Sequence, residues 1–524
     1  MVGILKGPCE PAAAENGAAG HACANKAQPW VLAATILGSS MAFIDGSVVG
    51  VAIPVMQRAF HATAVQMQWV NNAYLLFLSA LILLGGAIGD RIGRRLTFLI
   101  GIFIFTVASI GGGLAPSEGF EVLARAVQGV GAAMLVPSSL AILGASFEEK
   151  DRGKAIGTWA GASAMVTALA PVMGGWLVDS VSWRAIFWIN VPIAASAIAV
   201  TLWRMPENKD PESTGRLDYL GAVLAAIGLA GVAYGLSTDP HHTIALIAGL
   251  VSLVLFVIWE ARIPNPLVPL SLFRDRRFVG ANLLTLFLYF AMSGAFFFIP
   301  FQLIQVKGFS ATAAGAAFLP FTILMGAFSR WSGGLVERFG GRLPLTVGPI
   351  VTAVGLSICA LDTPRASYWT SLFPGIVVFG LGMTIAVAPL TTVVMSSVPP
   401  GSVGAASGVN NAVSRVAGLL AVAVMGFVVA RAFSGQMEPW ISKHPGPVAD
   451  AIRPQIADLA AIRFDRHLPG PDVAAARTAI DQSFTLGFRD ALLTAAVLSL
   501  LAGGAAFTLI RDPSKRRKAP GSRG

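Results

Sequence analysis

The sequence predicts an all-α membrane protein with fourteen transmembrane helices, built as two six-helix halves plus two extra central helices. Three observations predict it. Only 12% of the 524 residues are charged and 55% are hydrophobic, with a mean hydropathy of +0.70, whereas an ordinary soluble domain carries about 25% charged residues. Apolar runs long enough to cross a hydrocarbon core recur along the whole chain. A charged loop pattern also occurs twice at a fixed offset.

Residues 1–29 are Ala/Gly-rich without the apolar core of a cleavable signal, and read as a cytoplasmic tail. The N-terminal half, 30–206, holds apolar runs at about 30–54, 67–88, 96–115, 121–146, 155–178 and 183–203. Two further runs, 217–236 and 243–260, fill 207–262. The C-terminal half, 263–510, holds 279–301, 311–334, 343–361, 369–395, 403–430 and 488–510. All read as helices, because only helices and closed barrels satisfy backbone polar groups in lipid, and these runs are too long for barrel strands. The segment 431–487 reads as a long extracytoplasmic loop with helix-like pieces at 449–463 and 472–483, and 511–524 as a basic tail.

An even number of spans puts both termini on one side. The short loops on that side carry fifteen Lys and Arg, against four (Arg58, Arg184, Lys307 and Arg365) on the other. This bias places both termini in the cytoplasm of a multi-pass cell-membrane protein. The loop 396–402 breaks the pattern, having no Lys or Arg. The net charge of +10 is thereby an orientation signal and not a nucleic-acid surface. Cys9 and Cys23, with His21, fit no common metal spacing, and no metal is expected. The absence of a Gly-x4-Gly-Lys-Ser/Thr loop excludes an ATP pump, and six dispersed His residues argue against a membrane enzyme.

Gly86-x-x-x-Asp90-Arg91-Ile92-Gly93-x-Arg95 reads onto Gly333-x-x-x-Glu337-Arg338-Phe339-Gly340-x-Arg342 at a constant offset of 247. Both copies join one span to the next on the cytoplasmic side. Two such loops eight spans apart suggest parallel repeats, a transporter feature. Charged turn residues can simply mark orientation. As a functional device they form a latch, in which Asp90 pairs with an Arg or caps a helix across the two halves in one conformation only.

Ionisable residues deep in a span are functional candidates by default. Asp45 sits about 15 residues into its span, roughly 22 Å at 1.5 Å per residue, and Arg125 lies at a similar depth in the fourth. A static bridge is one reading. The other is that Asp45 exchanges protons while Arg125 tunes it, since burial raises an Asp pKa and a cation lowers it. Arg330 and Arg415 are expected near contacts between the halves, packed on carbonyls or facing substrate. Asn71, Asn72, Tyr74 and Gln128 face a cavity or bond neighbouring helices. Pro171 with Gly174 and Gly175 bends or ends the fifth span and permits close packing.

These residues resemble a known family. Gly89-Asp90-Arg91-Ile92-Gly93-Arg94-Arg95 resembles the loop signature of the major facilitator superfamily, and Leu123-Ala-Arg125-Ala-Val-Gln128-Gly129-Val-Gly131 its fourth-span motif. Ala170-Pro171-Val-Met-Gly174-Gly175-Trp176 resembles its antiporter motif. Ile44-Asp45-Gly-Ser-Val48-Val49-Gly50-Val-Ala-Ile-Pro54, Trp183-Arg184-Ala-Ile-Phe187-Trp-Ile-Asn190-Val-Pro192 and Pro266-Leu-Val-Pro269-Leu-Ser-Leu-Phe273-Arg274 resemble the fourteen-span drug:proton antiporters of the EmrB/QacA type. The pattern departs at Gly50, Val166 and Ala170, which bears on substrate range. The resemblance implies the major facilitator fold and proton-driven export of lipophilic drugs or toxic small molecules. It implies no cofactor, the proton gradient being the energy source. Partners are then the small-molecule substrate, protons and the bilayer, with no nucleic acid; nothing in the chain points toward or away from an adaptor and outer-membrane channel. Export of one specific metabolite or self-made antibiotic is the alternative. Around a central cavity, the resemblance supports Asp45 and Arg125 as the coupling pair.

Overall fold

The computed structural model describes residues 27–510 apart from 148, 208–216, 237–241, 265, 399–402, 465–467 and 469. Cys9, Cys23, His21, most of the N-terminal tail, the 511–524 tail and much of the 396–402 loop lie outside the described residues.

The N-terminal half consists of α1 (Gln28–Phe60), α2 (Ala64–Ile92), α3 (Arg94–Gly113), α4 (Glu118–Ser146), α5 (Glu149–Ser180), and a sixth span made of α6 (Ala185–Trp188) and α7 (Asn190–Arg204). The added pair is α8 (Tyr219–Gly235) and α9 (His242–Glu260). The C-terminal half consists of α10 (Arg276–Phe301), α11 (Ala311–Ala316), α12 (Leu319–Gly333), α13 (Leu335–Phe339), α14 (Arg342–Cys359), α15 (Leu372–Ser396), α16 (Val403–Lys443), α17 (Pro447–Ile452) and α18 (Gly470–Leu509). Among the described residues there are no strands. Among the described residues, twelve helices are long and apolar enough to cross a membrane, and two shorter apolar helices, Met165–Ser180 and Tyr219–Gly235, stand where the fifth and seventh spans are expected.

Local chemistry sets many boundaries. Thr63 and Gln66 form a reciprocal capping box at the start of α2. Ser117, Asp218, Asp275 and Ser310 accept from backbone N–H groups at the starts of α4, α8, α10 and α11. The two repeated loops turn the same way: Gly93 has φ +124° and Gly340 φ +79°, where a side chain is strained.

Between spans, small residues bring backbones together. A Cβ on Gly131 of α4 would lie 2.7 Å from the Phe105 nitrogen of α3, and one on Gly355 of α14 would overlap the Phe379 backbone of α15. The third and fourth spans of both halves thus pack on close backbone contact. The outer faces of the added pair carry Ile244 and Val254, 75% and 58% exposed, an apolar surface suited to lipid.

The 431–487 segment differs from expectation. Residues 472–483 are not a separate surface helix but the first turns of α18, and α16 continues to Lys443. Only Pro447–Ile452 and a 3-10 stretch, Arg453–Ala461, form short separate pieces. Apolarity ends near residue 430, but the backbone ladder does not. Phe433, Met437, Ile480 and Phe484 are fully buried on these extensions, and Ser483 Oγ donates to Met437 Sδ at 3.4 Å.

Candidate coupling site and the contacts between halves

Asp45 of α1 and Arg125 of α4 are brought together, both 0% exposed. Arg125 Nη1 donates to Asp45 Oδ2 and, at 2.7 Å, to Gln128 Oε1. Its Nε donates to the Val70 carbonyl at 3.1 Å, and its guanidinium lies over the Tyr74 ring, 4.3 Å from the centroid. Gln128 Nε2 donates to Asp45 Oδ1 at 3.2 Å and to Ser109 Oγ at 2.7 Å, and Asn190 Nδ2 reaches the same Ser109 oxygen at 3.3 Å. Tyr74 donates its hydroxyl to the Ala42 carbonyl at 3.2 Å. Five elements therefore meet on one buried polar layer.

The effective penalty of burying an ion is several kcal/mol, and a buried pair offsets it only when its remaining donors and acceptors are satisfied. Most are satisfied here. The exceptions are Arg125 Nη2, Asn190 Oδ1 and both carboxyl oxygens of buried Glu121. Glu121 is the first residue of the fourth apolar run, and the sequence alone does not join it to this layer. Nor does it single out Ser109, while Asn190 enters only through the motif around Trp183.

Gln128 and Tyr74 belong to the pair's surroundings. Asn72 is buried with Oδ1 unpartnered, and Asn71 is half-buried. Arg415 is half-buried on α16, its Nε without a partner. Arg330 lies on α12, but its side chain is outside the described residues, as is that of Glu337.

Of the repeated loop, Asp90 pairs within its own half, accepting from Arg94 Nε at 2.9 Å. Glu207, beyond the sixth span, caps α3: its carboxylate accepts from the Arg95 and Leu96 nitrogens at 3.0 and 3.1 Å. Arg95 Nη2 holds the Leu202 carbonyl at 3.2 Å. A Cβ on Gly93 would lie 2.5 Å from the Glu207 carboxylate, so this glycine serves both turn and cap. Gly86 packs over Pro137, and Arg91 and Arg338 are exposed.

The α5 motif faces both halves. Ala170 is fully buried. A Cβ on Gly174 would overlap Val48 of α1, and one on Gly175 would overlap the backbone of Ala311. Reciprocally, a Cβ on Gly315 would overlap the Pro171 carbonyl. At the same end, Asp179 accepts from the Ala311 and Thr312 nitrogens at 3.1 and 2.7 Å. Gln57 Nε2 donates to the Asp458 carbonyl at 3.1 Å, and Gln305 Nε2 to Gln57 Oε1 at 2.8 Å. The halves are thus drawn together at the end that carries 431–487. Burial against this contact raises the Asp458 carboxyl above its ordinary range, partly opposed by Arg463 and His61.

A polytopic bundle with a repeated loop, close-packed small residues and an ion pair inside one half has the build of a membrane transporter. The Major Facilitator Superfamily pattern matches residues 35–422. Multidrug resistance protein Stp of Mycobacterium tuberculosis (strain CDC 1551 / Oshkosh) is 33% identical over 488 residues, 90% of each chain. The tetracenomycin C resistance and export protein of Streptomyces glaucescens is 31% identical, covering 94% of each. In fold, the chain is similar to a bacterial homolog of the human lysosomal transporter Spinster, solved inward-facing and unoccupied, with TM-score 0.67, 18% identity, and 92% and 97% of the two chains covered. The chain belongs to the Major Facilitator Superfamily. It is a multi-pass membrane transporter and not an enzyme.

Proposed function

We propose that this chain exports lipophilic drugs or toxic small molecules across the cell membrane in exchange for protons, using the Asp45–Arg125 pair to couple the two. The observation that carries the reading is that pair, unexposed and held by Gln128 and the Val70 carbonyl. Relatives named for multidrug resistance and for tetracenomycin C resistance and export support the substrate class. A carboxylate facing one cation inside a protein changes protonation when water reaches it from alternate sides. Protonation of Asp45 releases Arg125 and alters the cavity. Asn71, Asn72, Arg330 and Arg415 remain candidates for lining it.

In this reading 1–29 and 511–524 are cytoplasmic, 30–206 and 263–510 are the two halves, 207–262 adds two spans, and 431–487 is outside. The contacts at Asp179, Gly175 and Gln57 then close the outer side. Asp90, held by Arg94 within its own half, is the disengaged latch of an inward-facing conformer. Gly86, Arg91, Gly93 and Arg95, with Glu337, Arg338 and Gly340, form the two latch loops.

Expression in an efflux-deficient host against a panel of lipophilic antibiotics and cationic dyes tests the function. Protection against several unrelated compounds is expected. Protection against a single compound would favour the specific-metabolite alternative, and none at all would remove the export reading. For orientation, cysteines placed at 450 and 520 are to be probed with an impermeant thiol reagent on intact cells. Labelling at 450 and protection at 520 are expected; the reverse would overturn the topology.

A further inference from the structure

We propose that Glu121 is a second proton-binding residue, which shares the guanidinium of Arg125 with Asp45 and passes protons between Asp45 and the 431–487 side. The proposal rests on the proton-exchange reading above. Glu121 is 0% exposed and neither carboxyl oxygen has a hydrogen-bond partner. It stands four residues before Arg125 on α4, the spacing at which helical side chains meet. Arg125 Nη2 is likewise buried and unpartnered, while Nε and Nη1 serve Val70, Gln128 and Asp45. The carboxyl occupies space left by Gly112 of α3: a Cβ there would lie 3.1 and 3.3 Å from its two oxygens and 3.3 Å from the Phe187 ring.

The charged and titratable groups around it are few. The charged groups near enough to act on it are Arg125 on its own helix, Asp45 on α1 and Arg184 in the turn before α6. Tyr74 of α2 covers the Arg125 guanidinium. The α3 residues in this layer, Ser109 and Gly112, do not titrate. Arg184 is engaged elsewhere, donating to the Ala115 carbonyl at 3.1 Å and lying over the Trp183 ring.

Two carboxyls therefore compete for one central guanidinium. Were both ionised, one buried carboxylate would have no cation bonded to it, since Arg184 is turned to the Ala115 carbonyl, and that is costly away from water. One must hold a proton. With Asp45 ionised and bonded to Arg125, that proton belongs to Glu121. When the O–H bond breaks at Glu121 and forms at Asp45, Arg125 turns its free Nη2 to the new Glu121 carboxylate. The trio has zero net charge before and after, so a proton crosses the layer without an unpaired charge entering it. Glu121 is reprotonated from water in the conformer open to the 431–487 side.

The test uses the purified full chain and the panel compound giving the largest protection. Proton release on adding that compound is measured in weakly buffered solution for the wild type, Glu121→Gln and Asp45→Asn, alongside affinity for the compound. Infrared spectra record the protonated carboxyl band. Glu121→Gln should release at least tenfold fewer protons while still binding, and should lack a carboxyl band present in the wild type. Wild-type release from Glu121→Gln, with release lost in Asp45→Asn, would sink the Glu121 proposal and leave the coupling reading standing. No release from the wild type would remove both. Should the amide variant fail to fold, Glu121→Asp decides: it must shift the carboxyl band, and an unmoved band in folded protein overturns the assignment.

Discussion

Asp45→Asn is expected to abolish substrate-driven proton movement in proteoliposomes, at least a hundredfold below the wild type, in a protein that still folds. A hundredfold corresponds to about 2.7 kcal/mol at 1.36 kcal/mol per decade. Asparagine has the shape of a protonated Asp45, and its carbonyl can still accept from Arg125, although its amide loses the bond that Gln128 Nε2 donates to Asp45 Oδ1. The variant is locked in one protonation state. It cannot alternate between holding Arg125 as a carboxylate and releasing it as an acid. The choice of asparagine matters, because Asp45→Ala leaves the buried guanidinium without any acceptor at that position, whereas asparagine removes the charge but keeps the carbonyl. Breaking a buried pair costs roughly 3–5 kcal/mol, and lost transport in that variant would report on folding. Proton flux, measured with a pH-sensitive dye inside the vesicles, checks the expectation. Flux at the wild-type rate from Asp45→Asn would make the pair a structural bridge.

The same pair shows how much of the site could be read from residues alone. Depth along a helix follows from 1.5 Å per residue, so two spans of known direction place Asp45 and Arg125 at similar heights. The fold class was equally legible, because lipid permits few architectures. The cap of α3 by Glu207 was not legible: it joins residues 112 apart in sequence, and capping by a distant carboxylate has no local pattern. Asp179, capping α11 from 132 residues away, was hidden for the same reason. The burial of Glu121 was not legible, because the apolar run of the fourth span begins only at 121. The helix begins at Glu118, and Gly112 and Phe187 cover the carboxyl. Burial near a span end depends on neighbouring helices, which hydropathy does not contain. The extensions of α16 and α18 beyond the apolar runs escaped because apolarity reports lipid contact, whereas a helix continues wherever its other face finds protein.

Gly175→Val is expected to lower transport at least tenfold and to open the path from the 431–487 side. In the present conformer α5 and α11 touch through backbone: a Cβ on Gly175 would overlap Ala311, and one on Gly315 would overlap Pro171. Backbone atoms cannot rotate away as a side chain tip does, so the added isopropyl group must separate the halves. Overpacking of this kind costs typically 1–3 kcal/mol, and the cost falls only on the conformer closed at this end. A ligand or mutation shifts a two-state balance by its difference between the states. A penalty of about 1–3 kcal/mol therefore moves the population roughly 5- to 150-fold toward the open form at 1.4 kcal/mol per decade. Gly50 supplies a reporter: it lies on α1, and a Cβ there would make ordinary contact, 3.5 Å, with the Phe296 carbonyl of the other half. With the native cysteines replaced by serine, Gly50→Cys is to be labelled by an impermeant thiol reagent on intact cells. Labelling should quicken at least tenfold when Gly175→Val is added, and Gly315→Val should reproduce it from the opposite side of the contact. Unchanged labelling with impaired transport would place the α5 motif's role elsewhere than in sealing this end. Faster labelling from both variants would identify paired small residues, one on each half, as the element that decides whether the Asp45 site meets outside water.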